Sequence, residues 1–229
     1  MTPRVVVLAA PSGGGKTTIA NELLRRFPEV FGYSVSATTR KPRAGEKDGE
    51  AYHFLTRDEF QRRREAGEFL ESAAYAGEWY GTLKSEVERM LASGRHVVLD
   101  IEVEGARQVR RVYPRPASVS IFVIPPSPHV LIERLRKRRT ETEEELQKRL
   151  EIAIREVETA KEDVKKAIVF DHIVVNDDLD SAVQRVVEIV DHPDRAKHRT
   201  MDMIDLLAAF VRDLEQEAYQ LRQSSRGST

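Results

Sequence analysis

The chain has 229 residues, a formal net charge of −1 and no cysteine. This charge balance gives no overall field that would draw the chain to nucleic acid or a membrane, and the lack of cysteine excludes a disulfide scaffold and thiolate metal sites. The six-residue apolar run in MTPRVVVLAAP is shorter than the roughly 7–15 residues of a secretory signal or the roughly 20 of a spanning helix, so we expect a cytoplasmic protein.

Short apolar runs rich in β-branched residues alternate with helical patterns along the chain. The runs lie at residues 5–8, 97–101, 119–124 and 173–175, and the clearest helical patterns between them lie at residues 16–27 and 85–93. Strands buried on both faces and separated by helices are typical of a parallel sheet. The sequence therefore predicts an α/β fold of three layers around a parallel central sheet. After the last run, Asp178 or Asp180 is a candidate helix N-cap.

Three segments depart from this alternation. Residues 32–80 contain turn signals, scattered aromatic residues and a helical period only near 57–66, which predicts a small insertion of mixed β-structure. Residues 128–166 are dense in alternating charge and predict solvated helices in a mobile hairpin, here called the lid. The predicted division is a core in three pieces at 1–32, 84–127 and 167–191, the insertion at 33–83, the lid with its flanking helices at 128–166, and a helical extension at 192–229.

The extension contains a separate amphipathic helix at residues 200–222. Its apolar stripe consists of Met203, Leu207, Phe210, Leu214, Ala218 and Leu221. Two interpretations remain open, because such a stripe can pack on its own domain or form a contact in a homo-oligomer. The protein is accordingly expected to be a monomer or a homo-oligomer.

The stretch AAPSGGGKTT follows the first predicted strand and opens the first helix. Ala10 takes the first place of the pattern G-x-x-x-x-G-K-[ST], and Gly15, Lys16 and Thr17 follow at the required offsets. Glycines allow backbone N–H groups to approach a phosphate closely, while the helix end adds a positive dipole. The predicted ATP contacts are Ser12, Gly13, Gly14, Gly15, Lys16, Thr17 and Thr18. Lys16 would reach the β- and γ-phosphates, and Thr17, with Asp100 at the end of HVVLD, would hold Mg²⁺.

Two further stretches point to the group that receives the phosphate. In SVSATTRKPRAGEKDGEAYHF, two arginines, Arg40 and Arg43, and the phenol of Tyr52 predict a cage for a phosphate monoester. In EFLESAAYAGEWYGT, Glu71 lies among apolar residues, where a carboxylate needs a partner. Guanine offers two parallel donors, N1–H and the exocyclic amine, whereas adenine would present an acceptor at N1. The sequence therefore favours a guanine nucleotide.

With PSGGGKTT, EWYGT, LDIEVEGA, RRTETEEELQKRL and VVNDD, these motifs resemble the guanylate kinase family over residues 4–189. The resemblance implies transfer of the γ-phosphoryl group of ATP to GMP, and to dGMP, with Mg²⁺. It assigns guanine recognition to Ser36, Glu71 and Thr82, and the GMP phosphate to Arg40, Arg43, Tyr52 and Tyr80. It places Asp100 and Glu102 near the metal and the acceptor nucleoside, and Asn176 near adenine. The catalytic set it implies is Lys16, Arg43, Arg134, Arg138 and Arg149, the last three from the lid. The family usually has aspartate where this chain has Glu102.

Two other functions remain as alternatives. Guanylate-kinase-like domains of scaffold proteins bind phosphorylated peptides, but such domains typically have a degraded ATP loop, whereas Gly15, Lys16 and Thr17 are intact here. A kinase of a phosphorylated sugar would keep the loop and the lid but would have no need for Glu71.

Overall fold

The computed structural model describes residues 2–75, 77–137, 143–192 and 200–226. Within these ranges the chain forms nine strands and eight helices. The strands are β1 Val5–Ala9, β2 Phe31–Tyr33, β3 Ala37–Thr38, β4 His53–Phe54, β5 Phe69–Tyr75, β6 Glu78–Leu83, β7 His96–Asp100, β8 Ser118–Ile124 and β9 His172–Val175. The helices are α1 Lys16–Arg26, α2 Arg57–Glu65, α3 Lys84–Ala92, α4 Val103–Val112, α5 Pro128–Arg136, α6 Glu143–Lys165, α7 Leu179–Asp191 and α8 Thr200–Arg226.

The predicted α/β fold with a parallel central sheet is confirmed. Five strands form a sheet of order β2-β7-β1-β8-β9, in which β2 pairs in parallel with β7, and β8 with β9. Every residue of β1 and β8 is buried, as expected for continuous apolar strands covered on both faces. Strand β2 was not predicted, because it has only three residues and one of them is glycine.

Residues 37–83 form the smaller sheet, which has the order β4-β3-β6-β5. Strand β3 pairs in parallel with β4 and antiparallel with β6, and β6 pairs antiparallel with β5. A small apolar core lies beneath it, with the rings of Phe60 and Phe69 stacked at 4.3 Å between centroids. The predicted mixed β-insertion is therefore present, and its two edge strands are β4 and β5.

Two helices that follow central strands begin at side-chain caps. The Ser127 hydroxyl accepts a hydrogen bond from the Val130 N–H at 3.3 Å, at the start of α5. The Asp178 carboxylate accepts one from the Ser181 N–H at 2.8 Å, at the start of α7. Of the two candidate caps in the sequence, the structure selects Asp178, and the cap satisfies a helix donor that would otherwise have no partner.

The chain divides into two compact units. One consists of the residues up to Val7 together with Leu23–Val119, and it contains the whole smaller sheet with α2, α3 and α4. The other consists of Leu8–Glu22 and the residues from Ser120 onward, and it contains the glycine-rich loop and α5 to α8. The boundaries predicted from the sequence are drawn differently and remain a prediction.

The apolar stripe of α8 is covered by its own chain. Its residues Met203, Leu207, Phe210, Leu214 and Ala218 are buried, and the helix packs on α6 and α5. At the surface, an Arg222 guanidinium nitrogen lies 3.2 Å from a Glu151 carboxylate oxygen. This arrangement favours packing within the chain over an oligomer contact. Among the described residues, no helix combines the length and the apolar character needed to cross a membrane.

We expect Leu207→Ala to lower the free energy of unfolding by about 2–5 kcal/mol, because it leaves a cavity between packed helices. Leu207 is fully buried, whereas the neighbouring Leu206 is 40% exposed, so Leu206→Ala serves as the matched control and should cost far less. Urea unfolding of both variants of the full chain measures the difference. Equal losses would mean that the stripe contributes no special packing.

Candidate active site

The glycine-rich loop between β1 and α1 depends on the absence of side chains. Gly13 and Gly15 have φ angles of 87° and 94°, which L side chains rarely adopt. A hydrogen bond of 2.8 Å from the Gly14 N–H to the Pro11 carbonyl closes the turn. A Cβ on Gly15 would lie 2.1 Å from the Asn176 amide nitrogen. The loop therefore lies close against a neighbouring side chain, and its glycines allow an anion to approach the backbone closely.

Asn176 supports this loop from the end of β9. Its backbone N–H donates to the Ile124 carbonyl at 2.7 Å, and its side-chain amide donates to the Gly14 carbonyl at 3.1 Å. The side chain is buried. The role of Asn176 near adenine stays a prediction, whereas its contact with the loop is a role that its place at a strand end did not reveal.

Arg134 of α5 brings positive charge to the same place. Its Nη2 donates to the Asn176 carbonyl at 3.1 Å. Its Nη1 is shielded from solvent, has no hydrogen-bond partner among the described residues, and lies 3.6 Å from the position of a Cβ on Gly15. A cavity of about 380 Å³ opens here, lined by Gly13, Gly15, Thr18, Arg134, Asn176, Asp177 and Leu179. A buried guanidinium nitrogen beside a phosphate-type loop indicates an anionic ligand.

Helix α6 reaches the loop through a residue that the sequence reasoning missed. The Glu156 carboxylate accepts a hydrogen bond from the Ser12 N–H at 3.2 Å. The predicted lid residue Arg149 lies seven residues earlier on the same helix, which is about two turns and so the same face. Lys16 is half-buried and opens α1, while Thr17 and Thr18 are exposed. Arg138 lies outside the described residues.

The other unit contains the predicted base-recognition residues, and three neighbouring strands bring them into a row. Glu71 of β5 pairs with Thr82 of β6, and the Thr82 hydroxyl donates to a Glu71 carboxylate oxygen at 2.7 Å. Ser36 directly precedes Ala37, whose partner in β6 is Gly81, so the antiparallel register places Ser36 opposite Thr82.

Glu71 is 7% exposed. Burial raises the pKa of its carboxyl group, and the charge of Glu102 adds to this effect, while hydrogen bonds from the Thr82 hydroxyl and backbone N–H partly oppose it. A buried acid with one side-chain partner among the described residues retains acceptor positions for a ligand.

Three of the four residues predicted to hold the GMP phosphate, Arg40, Tyr52 and Tyr80, lie close together beside this row. The Arg40 guanidinium lies 5.4 Å from the centre of the Tyr52 ring, and Arg40 also interacts with Tyr80. The two tyrosine rings are 6.0 Å apart between centroids. Burial raises the pKa of the Tyr52 phenol, so it remains a protonated donor at neutral pH.

Glu46 fixes the arginines of the cage and is the second residue that the sequence reasoning missed. Its carboxylate oxygens lie 3.0 Å and 2.9 Å from the two terminal nitrogens of Arg40, and it also accepts the Arg43 backbone N–H at 2.7 Å. The Arg43 side chain itself is exposed. The only signal in the sequence is an acid within the turn that follows Arg40.

Asp100 and Glu102 are the remaining predicted residues of this unit. Asp100 is the last residue of β7. Glu102 is the N-cap residue of α4, and its side chain makes no capping hydrogen bond. Asp100 is half-buried and Glu102 is exposed. Each unit thus assembles its own set of predicted residues: the loop, Arg134, Arg149 and Asn176 in one, and Ser36, the cage, Glu71, Thr82 and the two acids in the other.

A loop that presents N–H groups to phosphates, together with a buried carboxylate beside caged arginines, defines a P-loop kinase whose acceptor is a nucleoside monophosphate. The family model described as Guanylate kinase matches residues 2–193. A guanylate kinase of Homo sapiens is 44% identical over 86% of this chain and 98% of its own length. One from Desulfitobacterium hafniense is 46% identical over 81% of this chain and 88% of its own length. The crystal structure of a guanylate kinase from Anaplasma phagocytophilum gives a TM-score of 0.63, with 29% identity over 89% of this chain and 94% of that one. The chain belongs to the guanylate kinase family, whose members phosphorylate GMP to GDP with ATP.

We expect Gly15→Ala to weaken ATP binding by roughly tenfold or more, because its Cβ would displace Asn176 and remove at least one charge-assisted contact to phosphate. Gly94 is a matched control, since it has a similar φ of 84° but open space around it. Gly94→Ala should destabilise the fold by roughly 1–2 kcal/mol and leave the affinity for ATP unchanged. Calorimetric titration with ATP distinguishes the two, and an equal affinity in both variants would contradict the role of Gly15.

Proposed function

We propose that this chain transfers the γ-phosphoryl group of ATP to GMP, and to dGMP, giving ADP and GDP or dGDP. The reaction returns guanylate to the pool of purine nucleotides. The observation that carries the proposal is the buried carboxylate of Glu71, which is held by Thr82 and keeps acceptor capacity for a ligand.

Guanine is the base that satisfies this carboxylate. Its N1–H and its exocyclic amine donate in parallel to the two oxygens of Glu71, and the hydroxyls of Ser36 and Thr82 complete the contacts. Adenine would bring the N1 lone pair against the carboxylate, and the carboxylate would gain no donor from the base at that position. A site of this kind rejects the wrong base strongly, because the penalty is that of an unpaired buried group.

The GMP phosphate binds to the cage formed by Arg40, Arg43, Tyr52 and Tyr80. Glu46 sets the position of Arg40 before the phosphate arrives, and the protonated phenol of Tyr52 donates a hydrogen bond. Pre-positioned donors lower the entropy cost of binding and hold the acceptor oxygen in one place.

ATP binds to the loop of residues 12–18 through Lys16 and through backbone N–H groups other than those of Ser12 and Gly14, which donate to Glu156 and to the Pro11 carbonyl. Asn176 lies near its adenine. The Nη1 of Arg134 donates to a phosphate oxygen, which supplies the partner that this buried nitrogen lacks among the described residues. Arg149 and Arg138 neutralise the phosphoryl group in transfer; for Arg138 this rests on the sequence alone. Phosphoryl transfer needs little covalent help, so these residues act by position and charge.

Thr17 and Asp100 are the proposed protein ligands of Mg²⁺, and Glu102 lies close to Asp100 in the chain. A hydroxyl and a carboxylate are hard oxygen donors, and Mg²⁺ commonly uses one or two protein ligands with phosphates and waters for the rest. When bound, Mg²⁺ offsets the charge of the phosphates.

A coupled assay of ADP release with GMP, AMP, CMP and UMP tests the proposal. Turnover with GMP far above the other three, and above ATP alone, is expected. A protein that binds phosphorylated peptides would show no turnover and no heat with ATP, and a kinase of a phosphorylated sugar would show no preference for GMP. Either result would reject the proposal.

We expect GMP binding to weaken as the pH falls through the raised pKa of Glu71, because the protonated acid no longer accepts two hydrogen bonds. The GMP phosphate also titrates, near a pKa of about 6, and Glu71→Gln is therefore the reference: it keeps that titration and removes the one from the carboxyl group. Calorimetry from pH 4.5 to 8 should give a steeper loss of affinity for the wild type than for the variant. Identical profiles would place the titration elsewhere.

The same shift has the opposite sign for stability. The folded state favours the protonated form of Glu71, so its contribution to stability is present below the unfolded pKa and is lost as the pH rises through the folded pKa. The stability of Glu71→Gln minus that of the wild type should therefore be larger at neutral pH than at pH 4. Thermal unfolding of both proteins without nucleotide measures this difference.

A further inference from the structure

Helix α4 holds the edge strand that carries Glu71. The side-chain amide of Gln108 donates to the Ser72 carbonyl at 3.3 Å, and its oxygen accepts the Ser72 N–H at 3.1 Å. Ser72 is the residue next to Glu71, and β5 is an edge strand of the smaller sheet. Gln108 therefore pairs with both outward backbone groups of this residue, as a further strand would do.

Gly105 lies three residues before Gln108 and so on the same face of α4. A Cβ at this position would lie 2.9 Å from the Oε2 of Glu71, and 3.4 Å from the Cβ and Cδ1 of Ile101. Glycine is less favourable in a helix than alanine, and its φ here is not positive. Neither helix propensity nor backbone strain accounts for it, and the close approach of the carboxylate does.

These two observations concern the same group from two sides. Gln108 fixes the backbone beside Glu71, and Gly105 leaves room for its Oε2. The Thr82 hydroxyl holds its Oε1 at 2.7 Å. The depth and tilt of the carboxylate are thus set by α4 as well as by β6. Two parallel donors are read correctly only if both carboxylate oxygens lie in the plane of the base.

We propose that Gly105 and Gln108 are positioning residues that determine the specificity for guanine through Glu71. This inference rests on the proposed function, because it assumes that Glu71 accepts hydrogen bonds from the base. Neither residue needs to touch the nucleotide. A misplaced carboxylate should lose the contact to the exocyclic amine and so lose discrimination against inosine monophosphate, which differs from GMP only by lacking that amine.

The experiment compares Gly105→Ala and Gln108→Met with the wild type and with Arg111→Met. Arg111 is an exposed residue of α4 one turn beyond Gln108 and gives a matched control on the same helix. For each full-length protein, KM and kcat are measured with GMP and with inosine monophosphate, and thermal unfolding is recorded. Both test variants should raise the KM for GMP and lower the ratio of kcat/KM for GMP over inosine monophosphate by about tenfold, the value of one hydrogen bond to a charged group.

In those variants kcat at saturating GMP should change little, and Arg111→Met should behave as the wild type in every measurement. The decisive arm places each change in a Glu71→Gln background, where it should no longer alter the ratio. A lower melting temperature with an unchanged ratio, or an equal effect in both backgrounds, overturns the inference and leaves a purely structural role. A wild type without preference for GMP rejects the proposed function itself, which is a separate result.

If Gln108→Met fails to fold, Gly105→Ala alone decides, since it adds one methyl group against the free end of a side chain. GMP titration by calorimetry in the absence of ATP then gives a second readout that does not involve the phosphate loop. If Gly105→Ala has the same ratio of affinities for GMP and inosine monophosphate as the wild type, the inference is overturned by this route as well.

Discussion

The unit that contains the smaller sheet depends on one unfavourable placement, a carboxylate held away from water. Glu71 has a hydroxyl and a backbone N–H from Thr82 as partners, and burial still raises its pKa. Such a group costs free energy in the folded chain, and a ligand with two parallel donors recovers part of that cost on binding. In the proposed function, selectivity for guanine would follow from this destabilisation, because a solvated glutamate would bind the base weakly and would hardly reject adenine.

The unit that contains the glycine-rich loop also has a buried charged group, in this case a positive one. The Nη1 of Arg134 is shielded from solvent without a hydrogen-bond partner among the described residues, and it lies next to the glycine-rich loop. Asn176 joins the two, because its amide holds the Gly14 carbonyl while its own carbonyl accepts from Arg134. Each unit thus contains a buried charged group, Glu71 in one and Arg134 in the other, for which the proposed function supplies a partner from a nucleotide.

The sequence was informative where a contact is local or a pattern is continuous. The strands β1 and β8 could be predicted because every position is apolar, and Glu71 could be singled out because it interrupts an apolar stretch. Strand β2 could not, since Gly32 is required there by the sulfur of Met90, which would lie 2.1 Å from a Cβ. Glu46, Glu156, Gly105 and Gln108 act through approaches between distant or turn-linked segments, and no spacing in one chain encodes those distances.

These missed residues also explain why the net charge of the chain gives no sign that it binds two nucleotides. The net charge is −1, although phosphates must be met by several cations. In the cage, Arg40 is paired with Glu46 through both terminal nitrogens, and at the loop the Ser12 N–H donates to Glu156. Acids of the chain thus balance and orient the groups that phosphates require. A surface of unpaired cations would attract any polyanion, whereas oriented, partly neutralised donors favour ligands of the right geometry. Local order, and not net charge, therefore sets what this protein binds.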